Sequence, residues 1–267
     1  MDLESRLPHR MALPHGRMIT SEEGGSGVQP LWLSDAPATA ELWPRLRAQH
    51  AASGLWPLLL DALNPHDEDF RPWGCGELWP ERMSSPADHN AEDLLARWWR
   101  DYTVIDDDQL DADERSAVTA PFGRTWPGLA PAPPSARHAD EIADEYAHVF
   151  LTENPHARLG LVEASRGADV LATVGWLGAL NYDNDSATFA AVLRAWEDRF
   201  GARVVGIGFS TLHLGVAAPP ADIEDALAIA AEHFAFCPDN IWQGSHPDLV
   251  TYAEGLIDVN CWEFWWD

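Results

Sequence analysis

Apolar residues recur at helical spacing in four stretches of this 267-residue chain. Leu94, Leu95, Trp98 and Tyr102 share one face of a helix that Asn90 and Asp93 open in the manner of a capping box. Ile142, Tyr146, Val149 and Phe150 share a face of a second helix, which starts near His138. The strongest stripe is Phe189, Val192, Leu193, Trp196 and Phe200, with Asp185 or Ser186 as its cap and Gly201 as its stop. Ile223, Leu227, Ala230 and Phe234 line a fourth helix, which Cys237-Pro238 ends. A shorter helix runs through Leu42, Leu46 and His50, with Gly54 where a left-handed terminus belongs. Short apolar runs read as strands at residues 31–33, 55–60, 158–164, 203–209, 211–217 and 261–266, the second weakened by Pro57. In the last of these Trp262, Phe264 and Trp266 alternate with Glu263 and Trp265, so three large aromatics face one side.

From residue 158 onward the order is β-α-β-β-α-β, with a short helix near residues 247–257 before the final strand. That order predicts an α+β domain with a ferredoxin-like split β-α-β sheet and helices on one face. In that arrangement residues 261–266 pair with residues 158–164 near the middle of the sheet. The division expected is a mobile N-terminal arm over residues 1–27, an N-terminal α/β region over 28–137, and a C-terminal α+β domain over 138–267. The Pro-rich stretch before Arg137, preceded by an acidic run from Asp106 to Glu114, reads as the linker.

Charge narrows the chemistry. There are 43 Asp and Glu against 17 basic residues, for a formal net charge of −26. Every basic residue is arginine, so there is no lysine for a Schiff base, a P-loop or a Ser–Lys dyad. So acidic a chain repels phosphate backbones and anionic lipid heads, and attracts basic proteins. The partner expected is a basic protein, with no nucleic acid and no membrane. Cys75, Cys237 and Cys261 are three, widely spaced and outside any CxxC pair, which predicts no disulfide framework. No signal-like or membrane-spanning apolar run occurs, so the expected location is the cytoplasm.

The run Ala231-Glu232-His233-Phe234-Ala235-Phe236-Cys237-Pro238-Asp239-Asn240-Ile241-Trp242-Gln243-Gly244 and the ending Trp262-Glu263-Phe264-Trp265-Trp266-Asp267 resemble a bacterial family, domain of unknown function 4253. The segments from Gly175 to Asn181 and from Trp196 to Ala202 are similar to it as well. The resemblance covers about residues 159–267. It departs at Ser210, where an Asp is expected. It implies a C-terminal unit and no activity.

The ligand-binding candidates are His213, Glu232, His233, Cys237, Asp239, Asn240, Trp242, Gln243, Trp265 and Asp267. The turn at Cys237 reads first as structural, because the partial negative charge of a helix C-terminus raises a thiol pKa. Glu145 and His148 have the Glu-x-x-His spacing of di-iron bundles without a second copy, and a solvated acidic face with Asp140 and Asp144 explains them more simply. No G-x-S-x-G or GxGxxG motif is present. No catalytic residue, metal or cofactor is assigned. The function expected is a non-catalytic acidic interaction module for a basic protein, immunity- or antitoxin-like in one form. The alternatives are a metal-dependent hydrolase using His213, Glu232, His233 and Asp239, and a small-molecule binder using tryptophan-rich loops. Most tryptophans are expected in the core, with Trp242 and Trp265 as the exceptions.

Overall fold

The computed structural model describes residues 13–25, 27–104, 117–134 and 137–267. The acidic run at 106–114 and the first twelve residues of the expected arm lie outside the described residues. The strands are β1 (Gly16–Ile19), β2 (Leu31–Pro37), β3 (Leu55–Leu60), β4 (Arg158–Glu163), β5 (Arg203–Ile207), β6 (Thr211–Gly215) and β7 (Cys261–Trp265). They form one sheet in the order β1-β2-β4-β3-β5-β6-β7. Only β3 and β5 run parallel; the other neighbours are antiparallel. The helices are α1 (Leu42–Arg47), α2 (His50–Ser53), α3 (Ala91–Val104), α4 (Ala139–Glu153), α5 (Val170–Val174), α6 (Ser186–Phe200), α7 (Ile223–Phe236), α8 (Asp239–Trp242) and α9 (Leu249–Glu254). Among the described residues no helix is long and apolar enough to cross a membrane.

The helices follow the expected stripes. Asn90 accepts from Asp93 N–H at the start of α3, and Asp185 from Ala187 N–H at the start of α6. Gly54 and Gly201 end α2 and α6 with φ of 72° and 62°. Helices α3, α6 and α7 bury their apolar faces on one side of the sheet, against Leu58, Leu60, Leu212, Leu214, Trp262 and Phe264. Helices α1 and α4 cover the other side, packing Trp43, Tyr146 and Phe150 against Leu55, Leu59, Leu161 and Val205.

The mixed α+β class therefore holds, but the split β-α-β arrangement does not. β7 pairs with β6 at the edge of the sheet, Leu214 opposite Trp262 and Leu212 opposite Phe264. β4 pairs instead with β2 and β3. Helices lie on both faces, not one. The reason is in β3, whose six residues, Leu-Trp-Pro-Leu-Leu-Leu, are all buried. A run with no polar alternation needs cover on both faces and takes a central place. β3 fills the slot between β4 and β5, whereas β7, with one exposed face, tolerates the edge. Pro57 is accommodated because the parallel ladder to β5 begins only at Leu59. Before it, Trp56 Nε1 donates to the Val204 carbonyl at 2.9 Å and Trp43 Nε1 to the Pro57 carbonyl at 3.2 Å.

The sheet also crosses the expected division near residue 137. Residues 16–19, assigned to the arm, form β1 and pair with β2. The Pro-rich stretch is docked: Phe122, Trp126 and Leu129 pack against the core and Ala130 is buried. Glu232, fully buried, holds it there. Its carboxylate accepts from Ala130 N–H at 2.6 Å and from Trp196 Nε1 at 2.8 Å. The Arg199 guanidinium donates to both Glu232 oxygens, at 2.8 and 2.5 Å, and to the Ala130 carbonyl at 2.9 Å. Buried charge is tolerable only when paired and hydrogen-bonded this completely.

Candidate functional site

The turn after α7 is a clamp on the outer edge of β7. An edge strand exposes unpaired backbone groups. Asn240 occupies two of them with one side-chain amide: its Nδ2 donates to the Glu263 carbonyl at 2.7 Å, and its Oδ1 accepts from Trp265 N–H at 3.1 Å. Asp239, buried, accepts from Asp267 N–H at 3.0 Å, from the Tyr182 hydroxyl at 2.6 Å and from Gln243 Nε2 at 3.0 Å. The Cys237 thiol donates to the Trp265 carbonyl at 3.0 Å. Burial pushes that thiol far above its ordinary pKa, which suits a structural donor and not a nucleophile.

Glu232 and His233 are in the core. His233 packs against the rings of Trp196, Trp262 and Phe264, with centroids 5.1, 4.5 and 4.9 Å away, and its Nδ1 lies 3.1 Å from the Tyr252 hydroxyl. Burial lowers its pKa to about 3. The four side chains proposed as a metal centre therefore do not converge, since Glu232 is committed to Arg199 and His233 to an aromatic box. Among the described residues no group of three or more His, Cys, Asp or Glu is set to hold a metal. Asp140 and Asp144 likewise form ion pairs, with Arg47 and Arg203.

His233 carries a pH prediction. A histidine held neutral in the fold and titrating at its ordinary 6.5 when unfolded binds its proton only in the unfolded state. Its stabilisation is present above pH 6.5 and declines as pH falls toward about 3. Between pH 6.5 and pH 4 the loss is about 3 kcal/mol. Urea melts of His233→Phe should show a shallower decline across that window than the parent chain. Equal acid sensitivity in both would refute the assignment.

The exposed residues of β7 define the site. Glu263 and Trp265 point to the opposite side from Trp262 and Phe264, and just past the strand Asp267 is exposed while Trp266 is buried; Trp262, Phe264 and Trp266 are each 1% exposed. Trp265 separates two clefts. The smaller, about 290 Å³, is lined by Thr211, His213, Asn240, His246, Tyr252 and Glu263. The Tyr146 hydroxyl donates to Glu263 at 2.7 Å and lies 3.2 Å from His213 Nδ1. The adjoining His213 imidazole, then the Tyr146 hydroxyl, hold the Glu263 carboxyl below its usual pKa. The larger cleft, about 500 Å³, opens beyond the carboxyl ends of the parallel strands β3 and β5, where α/β sheets commonly receive ligands. Leu63, Leu180 and Trp265, 56%, 47% and 40% exposed, meet there with Phe209, Asn181 and Asp267. Arg71 lies 4.8 Å above the Phe209 ring and donates to both oxygens of Glu77, at 2.5 and 2.9 Å.

Of the sequence candidates, His213, Asp239, Asn240 and Trp265 gather at the smaller cleft, and Trp265 and Asp267 at the larger. Glu232, His233 and Cys237 lie buried behind them. Gln243 supports Asp239, and Trp242 packs on Tyr102 and Phe234 away from both clefts. Trp242 and Trp265 are the exposed tryptophans among the described residues. Leu63, Arg71, Glu77, Leu180 and Phe209 were not foreseen. They come from three separate loops with no shared periodicity, and only Glu263 carried a signal, through its alternation with buried aromatics.

The C-terminal sequence that supplies β7 and its clamp is not peculiar to this chain. Residues 158–267 match the family described as Domain of unknown function (DUF4253). The match begins at the first residue of β4 and takes in β5, β6, β7 and the Asn240 clamp, but not β3. No curated protein and no solved structure matches the chain.

Proposed function

We propose that this chain is a non-catalytic binding protein that receives a segment of a basic protein partner in the larger cleft beside Trp265. An immunity- or antitoxin-like role is one form of this. The observation that carries the reading is the meeting of Leu63, Leu180 and Trp265 at one concave site. Large apolar side chains exposed together, with polar groups around them, are typical of interaction sites, whereas scattered ones are not. Charge selects the class of partner. Ten arginines among the described residues sit within ion-pair distance of a carboxylate, so much of the positive charge is cancelled locally while the chain carries −26. The resulting field favours cationic proteins and disfavours nucleic acid. A cytoplasmic setting accords with Cys75, Cys237 and Cys261 all being free thiols.

The test is capture by the tagged full chain, followed by reconstitution of the captured protein from purified components. A basic protein should form a stoichiometric complex at about 0.1 M salt and dissociate toward about 1 M, where screening is strong. The double variant Leu63→Asp with Leu180→Asp should lose it. The reading fails if no stoichiometric complex forms at low salt, or if the double variant binds as well as the parent.

A further inference from the structure

We infer that the stripe Glu263–Trp265–Asp267 is the recognition element for an arginine side chain of that basic partner. The inference rests on the binding reading above and names the chemistry at its centre. Glu263 and Trp265 share one face of β7, about 6.5–7 Å apart, and Asp267 follows two residues past the end of the strand. The Trp265 indole is the wall shared by both clefts, with the Glu263 carboxylate on the side of the smaller and Asp267 on the side of the larger. Trp265 is 40% exposed, and Asp267 and Glu263 are exposed too. On the other face the aromatics at 262, 264 and 266 are sunk in the core, so the strand is rigidly seated and the stripe is held in place. Glu263 is fixed by the Tyr146 hydroxyl at 2.7 Å, with His213 3.7 Å away, and both keep its carboxylate ionised. The guanidinium that lines the larger cleft, that of Arg71, is engaged by Glu77 and stacked on Phe209.

Two features select the mode of binding. The outer edge of β7 is closed by the Asn240 amide at Glu263 and Trp265, so a partner strand cannot extend the sheet there. Recognition must then come from side chains. A guanidinium is flat, stacks on an indole face, and keeps its N–H donors in plane for flanking carboxylates. An ammonium offers no stacking surface, and a neutral isostere offers no charge.

The test uses the full chain and a fluorescein-labelled oligo-arginine peptide, read by fluorescence anisotropy at moderate salt. The same peptide with citrulline in place of arginine is the comparison. Arginine should bind and citrulline should bind more weakly. Trp265→Leu, which keeps the apolar surface and removes the π face, should weaken the arginine peptide by about 2- to 30-fold. Glu263→Gln should weaken it by about 1.5- to 5-fold. Trp242→Leu, at the other exposed tryptophan, should leave it within twofold. Unchanged binding in both Trp265→Leu and Glu263→Gln overturns the inference, as does equal loss in Trp242→Leu or equal affinity for the citrulline peptide. If the stripe fails in this way while the Leu63/Leu180 variant still abolishes the partner complex, the cleft binds by apolar contact alone. If the stripe binds arginine and no partner complex forms, the binding reading fails instead.

Discussion

Deleting residues 261–267 should leave a chain that is insoluble, or compact without cooperative melting. Trp262, Phe264 and Trp266 are each 1% exposed, and together they contact Trp176, Phe189, Trp196, Phe200, His233 and Phe236. Burying one such ring stabilises by roughly 1.5–3 kcal/mol, so losing three costs about 4–9 kcal/mol. That is comparable to the roughly 5–15 kcal/mol that holds a typical domain together. The deletion also strips Asn240, Asp239 and Cys237 of their bonds to Glu263, Trp265 and Asp267, leaving buried polar groups unmatched. Removing residues 1–17 should cost far less, because it takes only Gly16 and Arg17 from β1 and both are exposed. A chain ending at Asn260 that melts cooperatively near the full-length temperature would show that the aromatic face of β7 is dispensable.

The family segment alone, residues 158–267, should fail to fold. In the sheet, β4 and β5 are not neighbours; β3 lies between them and pairs along all six of its residues with β4, from Leu55 opposite Glu163 to Leu60 opposite Arg158. Excision leaves a gap in the middle of the sheet. It also removes five buried apolar side chains of β3, Leu55, Trp56, Leu58, Leu59 and Leu60, each 5% exposed or less. At roughly 1.5–3 kcal/mol each, they contribute about 7–15 kcal/mol, on the order of the whole stability. Glu232 would lose Ala130 as well. Circular dichroism melts and amide NMR dispersion of the isolated segment decide the matter. A cooperative transition with a dispersed spectrum would show that β4 and β5 can close on each other without β3.

How far the molecule was legible depends on the range of the forces involved. Helix α6 was readable because its stripe, its Asp185 cap and its Gly201 terminus are all local: each is set by neighbours within one or two turns. The two faces of β7 were readable for the same reason, since a period of two assigns sides without reference to a partner. The structural role of the turn at Cys237 followed from helix-end electrostatics. The clue that β3 is central was present in its unalternating Leu-Trp-Pro-Leu-Leu-Leu, but Pro57 argued against it, and its acceptance rests on indoles from Trp43 and Trp56.

By itself, then, the chain determines its long helices and every strand but β1, the inward face of β7, the lack of lysine chemistry and the dominance of negative charge. Tertiary structure alone decides the rest. Which strand stands beside which depends on pairing energies that differ little between alternatives and are settled by what must be buried on both faces, so β3 takes the centre and β7 the edge. Whether Glu232 and His233 form a site or a core cannot be told from their types, because burial keeps the His233 imidazole neutral and the Arg199 guanidinium engages the Glu232 carboxylate, and both lie far from their partners in sequence. The cleft is likewise a property of the assembled sheet: Leu63 follows β3, Phe209 follows β5, Leu180 leads toward α6 and Trp265 ends β7. They meet because β3 and β5 run parallel and direct their following loops to the same end of the sheet, a fact no local pattern records.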